Sequence, residues 1–338
     1  MQKMKNLVVI VGPTGVGKTE LSLQLAERLQ APIISADSRQ VYRELPICSA
    51  APTLADQQRV QHYLVGIRDM TEAYSAAQFE SDAMRIMADE TADNVVMCGG
   101  SMMYVDAVCR GISDMPSVNP EVRAALRARL ESEGLDSLLA QLEELDPAYF
   151  AQVDRKNPQR VVHGLEMCLS TGRPFSSFRT GQVKPRPFRI IKIGLTRPRE
   201  ELYDRIARRV DQMVADGLEA ETRRVYDKFN GLEAVRLQLP TISQQLSNVV
   251  RNPGPTQAQP IPNLLPTALN TVGLKEMLLF FEGIYSRERA LERIVHNSQV
   301  YSKKQMTWFG RDDSIHWFAP HQQAEIWAFL NEFVCSRT

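Results

Sequence analysis

The sequence is poor in the residues that build disulfide frameworks or metal centres. Five cysteines occur in 338 residues, and they form neither a CxxC pair nor a zinc-ligand spacing. They stand at Cys48, Cys98, Cys109, Cys168 and Cys335. This scatter excludes a disulfide scaffold and is typical of reduced thiols in the cytoplasm. The five histidines show no HxxxH spacing, so a histidine-based metal centre is not predicted.

An excess of one charge and long apolar runs are also absent. The 40 Lys and Arg balance the 40 Asp and Glu, so no overall field draws the protein to nucleic acid or to an anionic membrane. No apolar run is long enough to span a bilayer, and the first residues do not form a signal peptide. We expect a cytoplasmic protein in which any site for a polyanion is local.

Apolar runs that alternate with helical patterns indicate an α/β fold with a doubly wound parallel sheet. The runs are NLVVIV, APIISAD, NVVMCGG and RIIKIGL. Between the third and fourth runs, two helical stretches open on Asn-Pro, at Asn119 and Asn157, where Asn caps a helix and Pro takes its first position. We predict a core of residues 1–112 and 187–338, an inserted all-helical domain at 113–186, and a mobile proline-rich loop at 240–266.

The loop after the first strand, GPTGVGKT, matches G-x-x-x-x-G-K-[ST] and is followed by a helix. Glycines there let backbone N–H groups surround phosphate oxygens at the helix N-terminus. Lys18 adds a positive charge, and the Thr19 hydroxyl is placed to ligate Mg2+. The motif predicts a P-loop NTPase-like fold. Its phosphate-binding residues are Gly12, Pro13, Thr14, Gly15, Val16, Gly17, Lys18 and Thr19.

The second strand ends at a carboxylate, Asp37, in IISADSRQVY. The run NVVMC would supply the magnesium-binding acid of a nucleotidase, but it ends in Gly99, Gly100 and Ser101. Because parallel strands share one carboxyl edge, Asp37 is expected to face the phosphate loop, where it can accept a proton from an attacking OH or NH group. Alternatively, Asp37 only caps a turn by bonding a backbone N–H near Arg39.

An arginine lies on an apolar helical stripe. Leu202, Ile206, Arg209 and Met213 share a 3.6-residue spacing. A buried guanidinium needs an anion. That anion is either a phosphate held by the loop, for which arginine offers paired donors, or the partner in a structural ion pair, which would be a helix acid such as Asp204 or a sheet residue.

One stretch is basic although the whole chain is neutral. From Arg155 to Lys192 there are nine Lys and Arg and one acid, Glu166. Gln159 and Arg160 lie in the first turn of the second Asn-Pro helix, where donors can meet phosphate oxygens. A solvated helix face is the alternative. The segment YSKKQMTWF mixes basic and aromatic residues, which suits either base stacking or core packing.

In this order, the motifs resemble the tRNA dimethylallyltransferase (tRNA isopentenyltransferase) family, bacterial type, over nearly the whole chain. The matching pieces are GPTGVGKT, SADSRQVY, HYLVGIRDMTEAYSAAQF, GGSMMY, NPQRVVHGLE, LYDRIARRVDQM, VGLKE and KKQMTWF. The resemblance implies transfer of a dimethylallyl group from dimethylallyl diphosphate to N6 of the adenine 3′ to the tRNA anticodon, with Mg2+, by a monomer. It also implies that the phosphate loop holds the prenyl donor, which accounts for the missing magnesium-strand acid.

The resemblance assigns roles to residues already singled out. Asp37 would be the general base, with Ser38, Arg39 and Gln40 lining the base pocket. Lys18 and Arg209 would stabilise the leaving pyrophosphate, and Thr19 would carry Mg2+. Ser101, where the family usually has Thr, would touch the nucleotide. The residues implied to grip the anticodon stem-loop are Arg123, Gln159, Arg160, Val161, Val162 and His163.

Three positions depart from the family pattern. His163 and Gln299 stand where arginines are usual, and Leu274 replaces a tyrosine. The loss of two cations is expected to weaken RNA affinity more than chemistry.

Three other functions compete with tRNA prenylation. A small-molecule kinase would use ATP in the same loop and Asp37 as base. A prenyltransferase acting on free adenylate has no need of a basic insertion. An RNA-binding switch without catalysis leaves Asp37 and Arg209 without a role.

Overall fold

The computed structural model describes residues 4–112, 116, 118–179, 181–229 and 267–334. The predicted mobile loop at 240–266 lies outside the described residues. By its internal contacts the chain divides into two compact units. The first is Met1–Cys109 with Arg186–Thr338, and the second is Arg110–Pro185.

Six parallel strands form the sheet of the first unit. They are β1 (Lys5–Val11), β2 (Ile33–Ser35), β3 (His62–Tyr63), β4 (Asn94–Cys98), β5 (Phe188–Leu195) and β6 (Ile315–Phe318). The strand order is β3-β2-β4-β1-β5-β6, and every neighbouring pair is parallel. Central β1 places Val8 opposite Val96 on one side and Ile191 on the other. The predicted doubly wound sheet is confirmed, while the two-residue β3 was not predicted.

Thirteen α-helices lie in the described ranges. They are α1 (Lys18–Leu29), α2 (Leu54–Arg59), α3 (Ala76–Asp89), α4 (Met102–Arg110), α5 (Pro120–Glu133), α6 (Leu135–Leu145), α7 (Pro147–Phe150), α8 (Pro158–Thr171), α9 (Arg199–Ala215), α10 (Leu218–Lys228), α11 (Leu274–Phe281), α12 (Arg287–Phe309) and α13 (Gln323–Val334). None of them combines the length and apolarity needed to cross a bilayer.

The sheet separates two hydrophobic layers because successive strand residues point to opposite faces. In β1, Leu7, Val9 and Val11 pack with α3, α4, α11 and α12. Val8 and Ile10 pack with α1, α9 and α13 on the other face. Burial of each such side chain contributes roughly 1.5–3 kcal/mol. The layers fix the carboxyl ends of the strands, where the candidate site lies.

The second unit contains α5–α8, a short 3-10 helix at Phe175–Phe178, and no strand in its described part. Its own core includes Leu126, Leu138 and Leu142. Both predicted Asn-Pro starts are confirmed. The Asn119 side chain accepts from the Glu121 N–H at 2.9 Å, and the Asn157 side chain accepts from the Arg160 N–H at 3.2 Å.

Candidate active site

The phosphate loop connects β1 to α1 in a conformation that requires glycine. Gly12, Gly15 and Gly17 have positive φ angles of 145°, 81° and 112°. A Cβ on Gly12 would lie 2.6 Å from the Leu195 carbonyl oxygen. No side chain caps α1 at Gly17, so the N-terminal end of α1 presents backbone donors to an anion.

The side chain of Lys18 folds back onto the loop, where its ammonium group donates to the carbonyl oxygens of Gly12 at 3.0 Å and Pro13 at 2.8 Å. Burial, helped by the positive charge of Arg209, lowers the pKa of its ammonium group to about 8, although Cys98 and Asp37 oppose that shift. A bound diphosphate would favour the charged form of Lys18.

Three arginines hold the outer side of the loop. Two of them lie on α9 and the third just before it. Arg197 Nε donates to the Val16 carbonyl at 2.8 Å, Arg205 Nε to the Gly15 carbonyl at 2.8 Å, and Arg209 Nη1 to Thr14 Oγ1 at 2.9 Å. Three guanidinium groups therefore line the loop on the side of α9, and one of them, Arg197, also pairs with Glu201.

Arg209 is partly buried and forms no ion pair with a carboxylate of the described ranges. The alternative of a structural pair with Asp204 is therefore wrong. Burial lowers the pKa of Arg209, and the nearby negative charge of Asp37 opposes that shift. Since the Arg209 guanidinium bonds to the Thr14 hydroxyl and pairs with no described carboxylate, it is suited to bind an anion in the loop.

Asp37 follows β2 and is partly buried. Its Oδ1 accepts from the Arg39 N–H at 2.8 Å, so the turn cap proposed as the alternative is present. Its Oδ2 has no hydrogen-bond partner within the described part of the chain. The Asp37 charge acts on both Lys18 and Arg209. One oxygen thus fixes the turn, and the other is available near the phosphate loop.

The end of β4 holds the Asp37 turn in place. The Ser101 N–H donates to the Ala36 carbonyl at 3.1 Å. Ser101 Oγ accepts from the Ser38 N–H at 2.7 Å and donates to Ser38 Oγ at 3.1 Å. A Cβ on Gly99 would lie 2.1 Å from the Ala36 oxygen. The Ser101 hydroxyl therefore positions the residue next to Asp37.

The two other residues predicted to line the base pocket differ in how they are engaged. Gln40 is used inside the protein, because its amide donates to the Ala50 carbonyl at 3.0 Å and accepts from Ser35 Oγ at 2.7 Å. Arg39 is partly buried and pairs with no carboxylate of the described residues. Of the two, Arg39 has the side chain available to a ligand.

Gln305 on α12 contacts the phosphate loop but was not predicted from the sequence as a site residue. Gln305 is buried, and its Oε1 accepts from the Thr14 N–H at 2.8 Å. Tyr301, one turn earlier, donates to the Gly100 carbonyl at 3.4 Å. Burial, followed by the charge of Asp37, raises the pKa of Tyr301 to about 12. The sequence signal was a glutamine on the same helix stripe as the buried Phe309.

The aromatic end of α12 belongs to the core. Phe309 is 2% exposed, and Trp308 packs against the same cluster while its Nε1 donates to Asp106 at 3.0 Å. Core packing, rather than base stacking, accounts for this Trp-Phe pair.

The residues predicted to grip RNA divide into exposed and engaged groups. Gln159, Arg160 and His163 are exposed on α8. Val161 and Val162 are 0% and 7% exposed, so the prediction that their side chains contact RNA is corrected: they fill the core of the second unit.

Arg123 is engaged within the second unit. Its Nε and Nη2 donate to the two oxygens of Glu166 at 2.9 Å and 3.3 Å. The Glu166 side chain is 6% exposed, and His163 Nδ1 lies 3.6 Å from its Oε2. Arg123 therefore neutralises a buried acid, which accounts for its position without RNA.

A basic surface, defined as Arg155, Lys156, Arg160, Arg173 and Arg179, is exposed on the second unit. None of the five pairs with a described carboxylate. Arg155 lies 4.3 Å from the Phe150 ring centre, Arg173 4.8 Å from that of Phe178, and Arg179 5.4 Å from that of Tyr149. Rings hold these guanidinium groups without neutralising them.

Known proteins resemble nearly the whole chain. The IPP transferase family model matches residues 40–312. The tRNA dimethylallyltransferase 2 of Porphyromonas gingivalis is 51% identical, over 93% of this chain and 94% of that protein. The tRNA dimethylallyltransferase 2 of Parabacteroides distasonis is 48% identical, over 97% and 99%.

A solved structure shows the same likeness. The full-length tRNA isopentenylpyrophosphate transferase of Bacillus halodurans superposes with a TM-score of 0.64 at 31% identity, over 98% of this chain and 97% of that one. These similarities do not support the kinase alternative. With a matching family model and relatives of this identity over almost its full length, the chain belongs to the IPP transferase family.

Proposed function

We propose that the protein transfers a dimethylallyl group from dimethylallyl diphosphate to N6 of the adenine 3′-adjacent to the anticodon of tRNA, giving N6-dimethylallyladenosine and pyrophosphate. The observation that carries this proposal is Asp37, whose Oδ2 has no hydrogen-bond partner among the described residues and whose charge acts on Lys18 of the phosphate loop and on Arg209 of α9. A base and an anion cradle stand together, as transfer between an amine and a diphosphate ester requires.

The chemistry follows from these charges. The adenine N6 forms a bond to C1 of the prenyl group, and the C1–O bond breaks with its electron pair on the departing pyrophosphate. Asp37 accepts the N6 proton, a role worth about 10²–10⁴ in rate. Lys18, Arg209 and the loop N–H groups stabilise the charge on the leaving group.

Magnesium fits this site as a companion of the diphosphate. No group of three or more His, Cys, Asp and Glu in the described ranges could hold a metal. Thr19 is exposed at the start of α1, and its hydroxyl is a suitable oxygen ligand. Since Mg2+ takes about six oxygen ligands, diphosphate oxygens and water would complete its shell around Thr19. Bound there, the ion would offset charge on the leaving group.

The acceptor is best explained as an RNA. Five exposed cations on the second unit, which pair with no carboxylate among the described residues, suit phosphate oxygens, and free adenylate would leave them without a purpose. The anticodon-adjacent base must leave the loop stack, at a cost of a few kcal/mol. Phosphate contacts offset that cost. A monomer is part of the proposal, because one chain supplies both cradle and base. A location in the cytoplasm is also part of it.

The test is a prenyl-transfer assay. Purified protein with Mg2+, dimethylallyl diphosphate and an unmodified tRNA carrying adenines at the third anticodon position and its 3′ neighbour is expected to release pyrophosphate. Mass spectrometry should find one added five-carbon unit on a single base. Parallel reactions with free AMP as acceptor and ATP as competing ligand test the alternatives. Prenylation of AMP in place of tRNA, or ATP turnover without RNA, would overturn the proposal.

A further inference from the structure

Gln305 joins two elements of the candidate site through one side chain. Its Oε1 accepts from the Thr14 N–H of the phosphate loop at 2.8 Å. Its Nε2 donates to the Gly100 carbonyl, in the turn after β4, at 2.9 Å. Gln305 is 2% exposed, so both bonds are shielded from solvent. The phosphate loop, which would hold the prenyl donor, and the turn after β4, which lies beside the Asp37 turn, are thus bonded to the same amide.

An amide is the group that these two partners require. The Thr14 N–H needs an acceptor, and the Gly100 carbonyl needs a donor. A neutral amide offers one of each, while a carboxylate offers acceptors alone and a thioether offers no donor. The bonding partners also fix which way the amide points.

The turn is packed directly on this amide. A Cβ on Gly100 would lie 2.2 Å from Gln305 Nε2. Tyr301, four residues earlier on α12, donates to the same Gly100 carbonyl at 3.4 Å. Tyr301 and Gln305, on one face of α12, therefore both donate to the Gly100 carbonyl, and Gly100 has no side chain to hold them away.

The bonds continue on both sides toward the groups that act on substrates. In the phosphate loop, Thr14 Oγ1 accepts a hydrogen bond from Arg209 at 2.9 Å. In the turn after β4, Ser101 follows Gly100. The Ser101 hydroxyl accepts a hydrogen bond at 2.7 Å from the N–H of Ser38, the residue next to Asp37. Gln305 stands in the middle of a continuous series from the leaving-group cation to the base.

We propose that Gln305 is a positioning residue that sets the spacing between the diphosphate cradle and the Asp37 turn. This inference rests on the proposed prenyl transfer and names a residue that serves it without touching the reacting atoms. A misplacement of about 1 Å between reactants can cost about 10²-fold in rate. The bridge therefore acts on the chemical step more than on substrate binding.

The test compares Q305M, which keeps the length of the side chain and loses both bonds, with Q212M. Gln212 on α9 is exposed, and its amide donates to Asp216 at 2.8 Å. Rates are measured in single turnovers, with enzyme in excess and both substrates saturating, at a temperature at which each variant is folded. Q305M is expected to lose about 10- to 100-fold in this rate constant. Its tRNA dissociation constant should stay within about twofold, and Q212M should match the wild type.

A second variant, G100A, tests the same proposal in case Q305M does not fold. G100A pushes against the same amide from the other side and is expected to lower the single-turnover rate as well. The double variant Q305M/G100A should lose less than the product of the two single losses, because both break one bridge. The proposal is overturned if folded Q305M reacts at the wild-type rate, or if the two losses multiply independently. Absence of prenyl transfer by the wild type would instead refute the proposed function.

Discussion

At the scale of the residue, the contacts of Asp37 fit both roles that the sequence presented as alternatives, the turn cap and the proposed base. Oδ1 accepts from the Arg39 N–H, as a turn cap does, while Oδ2 has no hydrogen-bond partner in the described part of the chain. A carboxylate can do both because it has two oxygens with several lone pairs. A substitution that keeps one oxygen and removes the charge therefore separates the two roles.

We expect Asp37→Asn and Asp37→Ala to lower the prenyl-transfer rate by at least about 100-fold, in line with loss of a general base. The asparagine variant retains an oxygen that can cap the Arg39 N–H, so its thermal stability should stay near that of the wild type. Single-turnover rates and thermal denaturation measure the two effects. A wild-type rate in the asparagine variant would remove Asp37 from the chemistry.

The pH dependence of the reaction with dimethylallyl diphosphate should follow the titration of the Lys18 ammonium group. Its pKa is lowered to about 8 by burial and then by Arg209. Lysine is cationic below its pKa, so kcat/KM for dimethylallyl diphosphate should fall as the pH rises through about 8. In the complex, the diphosphate favours the cation, so the corresponding decline in kcat should lie at higher pH.

The control for this pH profile is Lys18→Arg. Arginine stays protonated throughout the accessible pH range, so the decline in kcat/KM near pH 8 should disappear even if the variant is slower. A decline that persists in the arginine variant would assign the titration to another group.

At the scale of the element, local signals were sufficient for much of the fold. The phosphate loop and both Asn-Pro helix starts were predicted because glycines, caps and prolines act within a few residues of themselves. Strand β3 was missed because two residues, His62 and Tyr63, cannot display an alternating pattern. The Gln305 bridge was missed because its partner Thr14 is 291 positions away.

The cap of α8 gives an element-scale prediction. Asn157 accepts from the Arg160 N–H, and loss of such a cap costs about 1 kcal/mol. Asn157→Ala should therefore lower the free energy of unfolding of the second unit by about that amount, as measured by urea denaturation. Asn157→Ser keeps an accepting oxygen and should be close to the wild type. Equal losses in both variants would show that the cap bond is not the cause.

At the scale of the whole molecule, a neutral chain carries a local excess of positive charge. The 40 acids and 40 bases cancel, yet the basic surface of the second unit has no described acid paired with it. The one acid in that stretch, Glu166, is buried against Arg123. The sequence predicted this asymmetry from composition, but it could not tell exposed Arg160 from buried Val161, because neighbours on a helix face different environments.

Replacement of Arg160 by Ala should weaken tRNA binding and leave the single-turnover rate at saturating tRNA unchanged. Each lost phosphate contact should reduce the slope of log affinity against log salt concentration by about 0.7–0.9, because fewer counterions are released. Arg289 is the matched control: its side chain is 56% exposed and pairs with Glu292 at 3.0 Å, so Arg289→Ala should not alter the slope. Filter-binding titrations across a series of salt concentrations measure both variants. If Arg160→Ala leaves the slope unchanged, the tRNA phosphates bind to a surface other than the one that contains Arg160.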